Sequence, residues 1–179
     1  TDFFLYLTAD TLIDSKNINN LLKIFTKYNT VGIACPVHLD LYGSYSGNYS
    51  CHPLFRFLKR SKFEKNIYKK LSKILPNGDF SVNTVWGAPI LLKTSLIKKI
   101  GFFDNNFFMY FEDIDLCDRI KDAGFEIIET PSSFCCHHKG VSNNTSIKSI
   151  YITISSFKFS EIYYFSKFGY KYSLRIYLH

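Results

Sequence analysis

Three acidic side chains with a spacing suited to acid–base chemistry follow a run of aromatic and apolar residues. Glu112, Asp113 and Asp115 come directly after residues 107–111 (FFMYF). A carboxyl group beside apolar walls has a raised pKa and can act as a general base. Acids in the first turn of a helix are also stabilised by the helix macrodipole, by about 0.3–1 kcal/mol, and one of them can cap the helix. The local sequence leaves the catalytic and the capping interpretations equally open.

A further carboxylate, Asp10, follows the apolar run at residues 3–7 (FFLYL). Mg²⁺ or Mn²⁺ bound to a diphosphate typically uses one or two carboxylates and leaves its other positions to phosphate and water. His137 could add a neutral imidazole to the site that Asp10 begins. An aspartate after a strand is more often a turn or capping residue, and a histidine at a strand end is more often an ordinary packed side chain. Both interpretations stay open for each residue.

Two other motifs were considered as binding features. The step from Trp86 to Gly87 places a flat ring beside bare backbone, which suits either a sugar face or plain core packing. Residues 135–138 (CCHH) resemble a metal tract at first sight. Neighbouring side chains on an extended chain point to opposite faces, so these four cannot converge on one zinc ion without a sharp bend.

The elements that would position these residues follow an α/β pattern. The expected strands are short, largely apolar runs at 3–7, 31–35, 82–92 and 125–130. The first is expected to be buried on both faces. Pro36 and Pro131 are expected to end the second and fourth strands, and Gly87 with Pro89 to break the third.

Helices are expected between these strands. An apolar stripe with i, i+3, i+4, i+7 spacing follows Asp14-Ser15, one of which would cap the helix. Residues 95–100 predict a short helical turn ended by Gly101, and a helix of about three turns should run from the acids at 112–113 to Gly124. Apolar residues at 147, 150, 154 and 157 also have helical spacing.

Length, charge and cysteine content narrow the class of protein. The chain has 179 residues, enough for one domain of ordinary size, and lacks an apolar run of the ~20 residues that a membrane-spanning helix needs. The formal net charge of +7 favours anionic partners, and residues 54–75 carry a local surplus of lysine and arginine. Five cysteines, an odd number at low density, indicate a reducing compartment.

Taken in chain order, these segments resemble the inverting family-2 glycosyltransferases of the GT-A fold, in particular rhamnosyltransferase-like members. The matching segments are 7–11 (LTADT), similar to the family's strand-end DxD motif, 31–36 (VGIACP), 86–88 (WGA), 100–104 (IGFFD), 107–119 (FFMYFEDIDLCDR), 137–142 (HHKGVS) and 163–167 (YYFSK). The resemblance implies an α/β fold: a partial GT-A (Rossmann-like) mixed sheet flanked by helices, with an aromatic-rich C-terminal helical tail.

The resemblance also implies an enzyme. It would move a sugar from a nucleotide-diphosphate donor to a hydroxyl of a glycan or lipid-linked acceptor, with inversion. Residues 1–145 are expected to be the C-terminal portion of the glycosyltransferase domain, without its N-terminal nucleotide-binding part, and 146–179 the helical tail. The resemblance makes Asp113 the base that takes the acceptor proton. It makes Asp10 the carboxylate that holds the donor diphosphate through Mg²⁺ or Mn²⁺, with His137 as a second metal ligand.

Three further roles follow from the same resemblance. Glu112, Trp86 and Gly87 would help place the acceptor. Arg119 would support either the acidic helix or the donor diphosphate.

The predicted location is cytoplasmic, with peripheral contact at the inner face of the membrane through residues 54–75 and 150–179. No nucleic-acid partner is expected for the enzyme. The alternatives are a nucleic-acid-binding module built on residues 54–75, with its interleaved aromatic rings, and an inactive glycosyltransferase fragment.

Overall fold

A mixed seven-stranded sheet organises the chain. The computed structural model describes residues 1–39, 73–74, 78–85, 87–137 and 146–168. The strands are β1 (Phe3–Tyr6), β2 (Thr11–Leu12), β3 (Val31–Leu39), β4 (Lys73–Ile74), β5 (Phe80–Val82), β6 (Ile90–Lys93) and β7 (Glu126–His137). Their order is β1-β6-β3-β7-β5-β4, and β2 pairs with β7. The β3–β7 pair is parallel and the other pairs are antiparallel.

Strand β1 differs from the expectation of a strand buried on both faces. It begins the strand order and pairs only with β6 among the described strands, and Phe4 is 40% exposed. Its apolar run is explained by ring contacts instead. Phe3 lies 4.9 Å from Phe25, and Phe4 and Tyr6 pack edge-on against Phe102 on the other side. Aromatic contacts on both faces account for the continuous hydrophobicity of this partly exposed edge strand.

The expectation that Pro36 and Pro131 end their strands is wrong, because β3 and β7 both continue through them. Pro36 pairs with Thr130, but the next pair joins Val37 to Phe134, so residues 131–133 of β7 form a bulge. Proline has no N–H for a ladder bond, and a bulge is where a sheet tolerates that loss. The two prolines lie together at this irregularity.

The expected broken strand at 82–92 is in fact two strands separated in the sheet. Strand β5 pairs with β4 and β7, whereas β6 pairs with β1 and β3. The loop between them crosses from one part of the sheet to another and contains Gly87, which adopts φ +60°. Periodicity alone could not separate the two strands, because both are apolar and few residues lie between them.

Four helices occur in the described part of the chain: α1 (Ser15–Lys27), α2 (Thr94–Ile100), α3 (Glu112–Asp122) and α4 (Ile147–Phe168). The predicted helix positions are confirmed. Asp14 caps α1, since its Oδ1 accepts a hydrogen bond from Asn17 N at 2.7 Å. Gly101 follows α2 with φ +81° and Gly124 follows α3 with φ +85°, conformations that favour glycine.

Helix α4 packs on the rest of the fold through its second half. Tyr164 is fully buried and forms a cluster with Phe107, Phe111 and Ile114. The first half, from Ile147, is largely exposed. The division into a domain at 1–145 and a tail at 146–179 stays a prediction. Among the described helices, none combines the length and apolar character needed to span a membrane.

The core lies on both faces of the sheet. On one face α1 contributes Leu21, Ile24 and Phe25. On the other, Leu96 of α2 and Ile120 of α3 pack against the sheet. Helix α3 approaches β3 closely at Gly32, where an added Cβ would lie 2.6 Å from Ile120 Cγ2 and 2.9 Å from Phe125 Cβ. Only a residue without a side chain lets α3 lie this close to the sheet.

We predict that Gly32→Ala destabilises the protein by about 1–3 kcal/mol, because the new methyl overpacks this contact. Chemical denaturation of the variant and the parent measures the difference. Ile120→Ala removes the clashing Cγ2, so the double variant should lose less stability than the sum of the two single losses. Strictly additive losses would show that Ile120 does not limit the space at Gly32.

Candidate active site

The first turn of α3 presents the acidic residues from a strained entry. Tyr110 and Phe111 precede the helix with φ +71° and +69°, left-handed conformations that non-glycine residues seldom adopt. Each such residue costs on the order of 1–3 kcal/mol and occurs where surrounding contacts enforce it. Phe111 occupies the N-cap position without a side-chain cap bond. Neither acid is therefore the N-cap, and simple capping does not explain both.

Asp113 is held by two backbone donors. Gly87 N donates to its Oδ2 at 2.9 Å, and Ile114 N donates to its Oδ1 at 2.8 Å. Although the residue keeps some accessible surface, desolvation of its carboxyl group raises the pKa to about 6, and the charge of Glu112 adds to the rise. The two N–H groups act in the opposite direction by stabilising the carboxylate. The result is a carboxylate that is ionised at neutral pH and basic enough to accept a proton.

Glu112 precedes Asp113 in the chain, and its carboxyl group has a different environment from that of Asp113. Burial raises the pKa of its carboxyl group. Its Oε2 is buried and has no hydrogen-bond partner among the described residues. A buried carboxylate oxygen without a donor is unfavourable, and it is a feature that binding sites often retain.

Tyr6, at the end of β1, is a site residue that the sequence did not single out. Burial raises the pKa of its phenol, and the charges of Glu112, Asp113 and Asp10 raise it further, in that order. Its ring lies 4.9 Å from that of Phe103. The phenol is therefore within electrostatic reach of all three acids, which places the segment after β1 beside the start of α3. Within the run FFLYL, nothing distinguished Tyr6 from its apolar neighbours.

The backbone brings Asp10 and His137 to one region, although 126 positions separate them in the sequence. Strand β2 pairs antiparallel with the end of β7, and Thr11 lies directly opposite His137. Cα atoms paired in this way are about 4.5–5.5 Å apart. Asp10 is thus the chain neighbour of the residue that faces His137. Their proposed sharing of a cation stays a prediction.

If Asp10 and His137 held a cation, the donor diphosphate would have to supply further ligands. Among the described residues, no group of three or more His, Cys, Asp or Glu side chains is arranged to hold a metal ion. One carboxylate and one imidazole would leave most positions of Mg²⁺ or Mn²⁺ to phosphate and water, as is usual for these ions.

Arg119 is engaged in a structural network. Its Nε and Nη2 contact Asp115 Oδ2 at 2.8 and 2.7 Å, and its Nη1 and Nη2 donate to the carbonyls of Ile100, Gly101 and Phe102. Four of these contacts are hydrogen bonds, and the contact of Nη2 with Asp115 is an ion pair. The arrangement shows that Arg119 supports the acidic helix, and its role toward the donor diphosphate stays a prediction.

Some sequence-based assignments lie outside the described residues. Trp86 is among them, so its proposed contact with the acceptor has no structural account here, while its neighbour Gly87 is described. The basic stretch at 54–75 is outside apart from the backbone of β4, as is the tail beyond Phe168.

Two curated relatives match part of the chain. The N-acetylglucosaminyl-diphospho-decaprenol L-rhamnosyltransferase of Mycobacterium tuberculosis is 42% identical over 53 residues, 30% of this chain and 17% of that protein. Rhamnosyltransferase WbbL of Escherichia coli K12 is 33% identical over 69 residues, 38% of this chain and 26% of that protein. The matches therefore span about a quarter or less of either relative. No protein-family model matches the chain.

A solved structure resembles the fold. The crystal structure of GalNAc-T7 with UDP, GalNAc and Mn²⁺ aligns with a TM-score of 0.53 and 14% identity, covering 76% of this chain and 27% of that one. At this identity the likeness concerns the fold alone, and it confirms the predicted GT-A-like mixed sheet with flanking helices. The chain is thus similar over part of its length to rhamnosyltransferases, and its fold resembles that of a GT-A glycosyltransferase.

Proposed function

We propose that this chain carries the catalytic residues of an inverting glycosyltransferase, with Asp113 as the general base. The observation that supports this most directly is the Asp113 carboxylate, fixed by Gly87 N at 2.9 Å and with its pKa raised to about 6. The partial matches to rhamnosyltransferases support a sugar-transfer reaction and favour rhamnose as the transferred sugar.

In the proposed reaction, an acceptor hydroxyl attacks the anomeric carbon of the donor sugar. Asp113 takes the hydroxyl proton while the new C–O bond forms, and the bond between the anomeric carbon and the diphosphate oxygen breaks. The leaving group departs as a nucleoside diphosphate. A single displacement inverts the configuration at the anomeric carbon.

Glu112 is proposed to bind the acceptor. Its Oε2 is buried without a partner among the described residues, so it can accept a hydrogen bond from an acceptor hydroxyl beside the base. The N–H of Gly87 already donates to Asp113, so Gly87 acts by orienting the base, and its backbone is where the acceptor would approach. Trp86 is proposed to help place the acceptor, with its ring against a sugar face.

Asp10 and His137 are proposed to hold Mg²⁺ or Mn²⁺ together with the donor diphosphate. When bound, the cation would neutralise charge on the departing diphosphate. The pairing of Thr11 with His137 supports this assignment, and the related fold of GalNAc-T7 was solved with Mn²⁺ and UDP. The acceptor is proposed to be a glycan or a lipid-linked sugar, since the mycobacterial relative is named for a decaprenol-linked one.

Peripheral contact with the cytoplasmic membrane face is proposed for α4. Its first half exposes large apolar side chains, namely Ile147, Ile150, Tyr151 and Ile154. Such a surface suits the boundary between lipid head groups and acyl chains, where a lipid-linked acceptor would be presented.

Asp113→Asn should lower transfer by roughly 10²–10⁴-fold while donor binding is kept, since Asn cannot accept the proton. Transfer is measured with the full-length protein and a panel of nucleoside-diphosphate sugars that includes rhamnose donors. In the parent, kcat/KM should fall about tenfold per pH unit below pH 6, because protonation of Asp113 removes the base. Asp122→Asn, at the exposed end of the same helix, is the control. Activity of Asp113→Asn within a few-fold of the parent would refute the assignment.

Asp10→Ala and His137→Ala should each weaken Mn²⁺-dependent binding of UDP and dTDP by roughly tenfold or more. Titration calorimetry with Mn²⁺ and with EDTA measures this, and the exposed Asp2→Ala is the matched control. If both variants bind with the parent's affinity and metal dependence, the two residues are ordinary parts of the strand ends.

The full-length protein should float with anionic phosphatidylglycerol vesicles at low salt, and Ile150→Ser with Ile154→Ser should reduce the bound fraction several-fold. Neutral phosphatidylcholine vesicles test the contribution of charge. Failure of the parent to float with anionic vesicles would contradict membrane contact without affecting the proposed chemistry.

A further inference from the structure

The second half of α4 contacts the chain on both sides of Asp113. On the N-terminal side, Ser160 Oγ donates to the carbonyl oxygen of Met109 at 2.8 Å. On the C-terminal side, Lys167 Nζ lies 2.6 Å from Asp115 Oδ1. The base therefore lies between two points, four residues before it and two after it, that are fixed by the same helix.

The N-terminal contact falls on the strained entry to α3. Met109 directly precedes the two left-handed residues, and the ring of Phe111 lies 5.2 Å from that of Phe157 and 5.4 Å from that of Tyr164. Such a turn persists only where its surroundings over-determine it. Residues 110–111 lead directly into α3. Their conformation therefore decides the direction of the first turn of the helix.

The C-terminal contact is part of an ion network around the buried Asp115. Lys167 Nζ bridges Asp115 Oδ1 and Asp104 Oδ2, the latter at 2.7 Å. Tyr163 donates a hydrogen bond to the same Asp104 oxygen at 3.0 Å, and Tyr164 donates to Asp118. Asp115 has no exposed surface, so removal of a cation leaves buried negative charge poorly compensated. The segment of α3 that follows the base is thereby tied to α4.

We propose that α4 is a positioning element for the general base, in which Ser160 and Lys167 hold the segment 109–115 so that Asp113 keeps its orientation toward the reacting hydroxyl. Neither side chain is proposed to touch substrate. The inference rests on the proposed function for its catalytic meaning. Among the described residues, the groups that act on Asp113 are Glu112, the N–H groups of Gly87 and Ile114, the Tyr6 phenol and the Cys117 thiol, and all of them lie outside α4.

The kinetic test compares two identical substitutions in one helix of the full-length protein. Ser160→Ala removes the bond to Met109, whereas Ser166→Ala removes a bond to the carbonyl of Tyr163 within α4 itself. We expect Ser160→Ala to lower kcat by roughly 10- to 100-fold, because small misplacements of a catalytic group have effects of this size. The donor KM should stay within threefold of the parent's, and Ser166→Ala should match the parent in both constants.

A double-mutant cycle, measured as Tm in thermal unfolding, tests the same coupling without an activity assay. At pH 7.5 Asp113 is ionised in a desolvated position, so the effect of Asp113→Asn on Tm reports how firmly that position is held. If Ser160 holds it, the effect should differ by about 2 °C or more between the parent and the Ser160→Ala background. In the Ser166→Ala background the effect should equal that in the parent. Lys167→Met, paired with Lys158→Met as its control, repeats the test at the other contact.

The outcomes separate the two proposals. A lowered kcat together with a non-additive cycle supports the positioning role. An unchanged kcat overturns it, even if the cycle is non-additive, because α4 would then stabilise the fold only. If the parent transfers no sugar from any donor, the proposed function fails, and the cycle alone decides whether α4 fixes Asp113, with additivity overturning that claim.

Discussion

The buried carboxylate of Asp115 must be paired with cations. The side of the fold that holds the candidate active site is arranged around this requirement. A charge without solvent contact has to be paired, and here two cations from different places satisfy it. Arg119 extends the pairing to the carbonyls of residues 100–102, and Lys167 extends it to Asp104 and α4. One ion network therefore joins the loop before α3, the helix itself and α4. The neighbouring acid, Asp113, can remain partly open to solvent because its surroundings are fixed in this way.

The site itself depends on strand pairing between distant segments. The antiparallel pair β1–β6 places Tyr6 opposite Ile90, and the pair β2–β7 brings the region of Asp10 to the end of β7. The loop between β5 and β6 then delivers a backbone N–H, that of Gly87, to the base. The resulting arrangement combines a proton acceptor of raised pKa with a separate carboxylate–histidine region. In the proposed reaction, the first would activate a hydroxyl and the second would bind a diphosphate.

Local signals in the sequence were sufficient for the helices and their ends. Asp14 caps α1 and glycines follow α2 and α3, because caps and positive φ angles depend on single residues. The strands through Pro36 and Pro131 were not predictable in the same way. Whether a proline ends a strand depends on the partner strand, and the bulge opposite Pro36 is a property of the pair.

The candidate site was predictable where residue chemistry and order carry the signal, as for the acids at 112–113. Tyr6 was not, since its importance arises from the charges that folding brings near it. The hydrogen bonds from Arg119 to three carbonyls were equally unpredictable, because the sequence does not show which backbone oxygens lie near a side chain. Sequence alone indicated that Arg119 serves the acidic helix or the diphosphate, and the structure shows its contacts with the helix.

The bulge at residues 131–133 makes the length of β7 a determinant of the ligand region. Side chains on a strand alternate between faces with a period of two, so an insertion or deletion of one residue reverses every position beyond it. Between Thr130 and Phe134 the chain takes three extra residues before it resumes pairing with β3 and reaches Thr11 with His137. If the bulge kept its three residues, a homologue that gained or lost a single residue between Thr130 and His137 would bring a neighbour of His137 opposite Thr11. The number of residues from Thr130 to His137 is thus constrained, because it decides which residue pairs with Thr11.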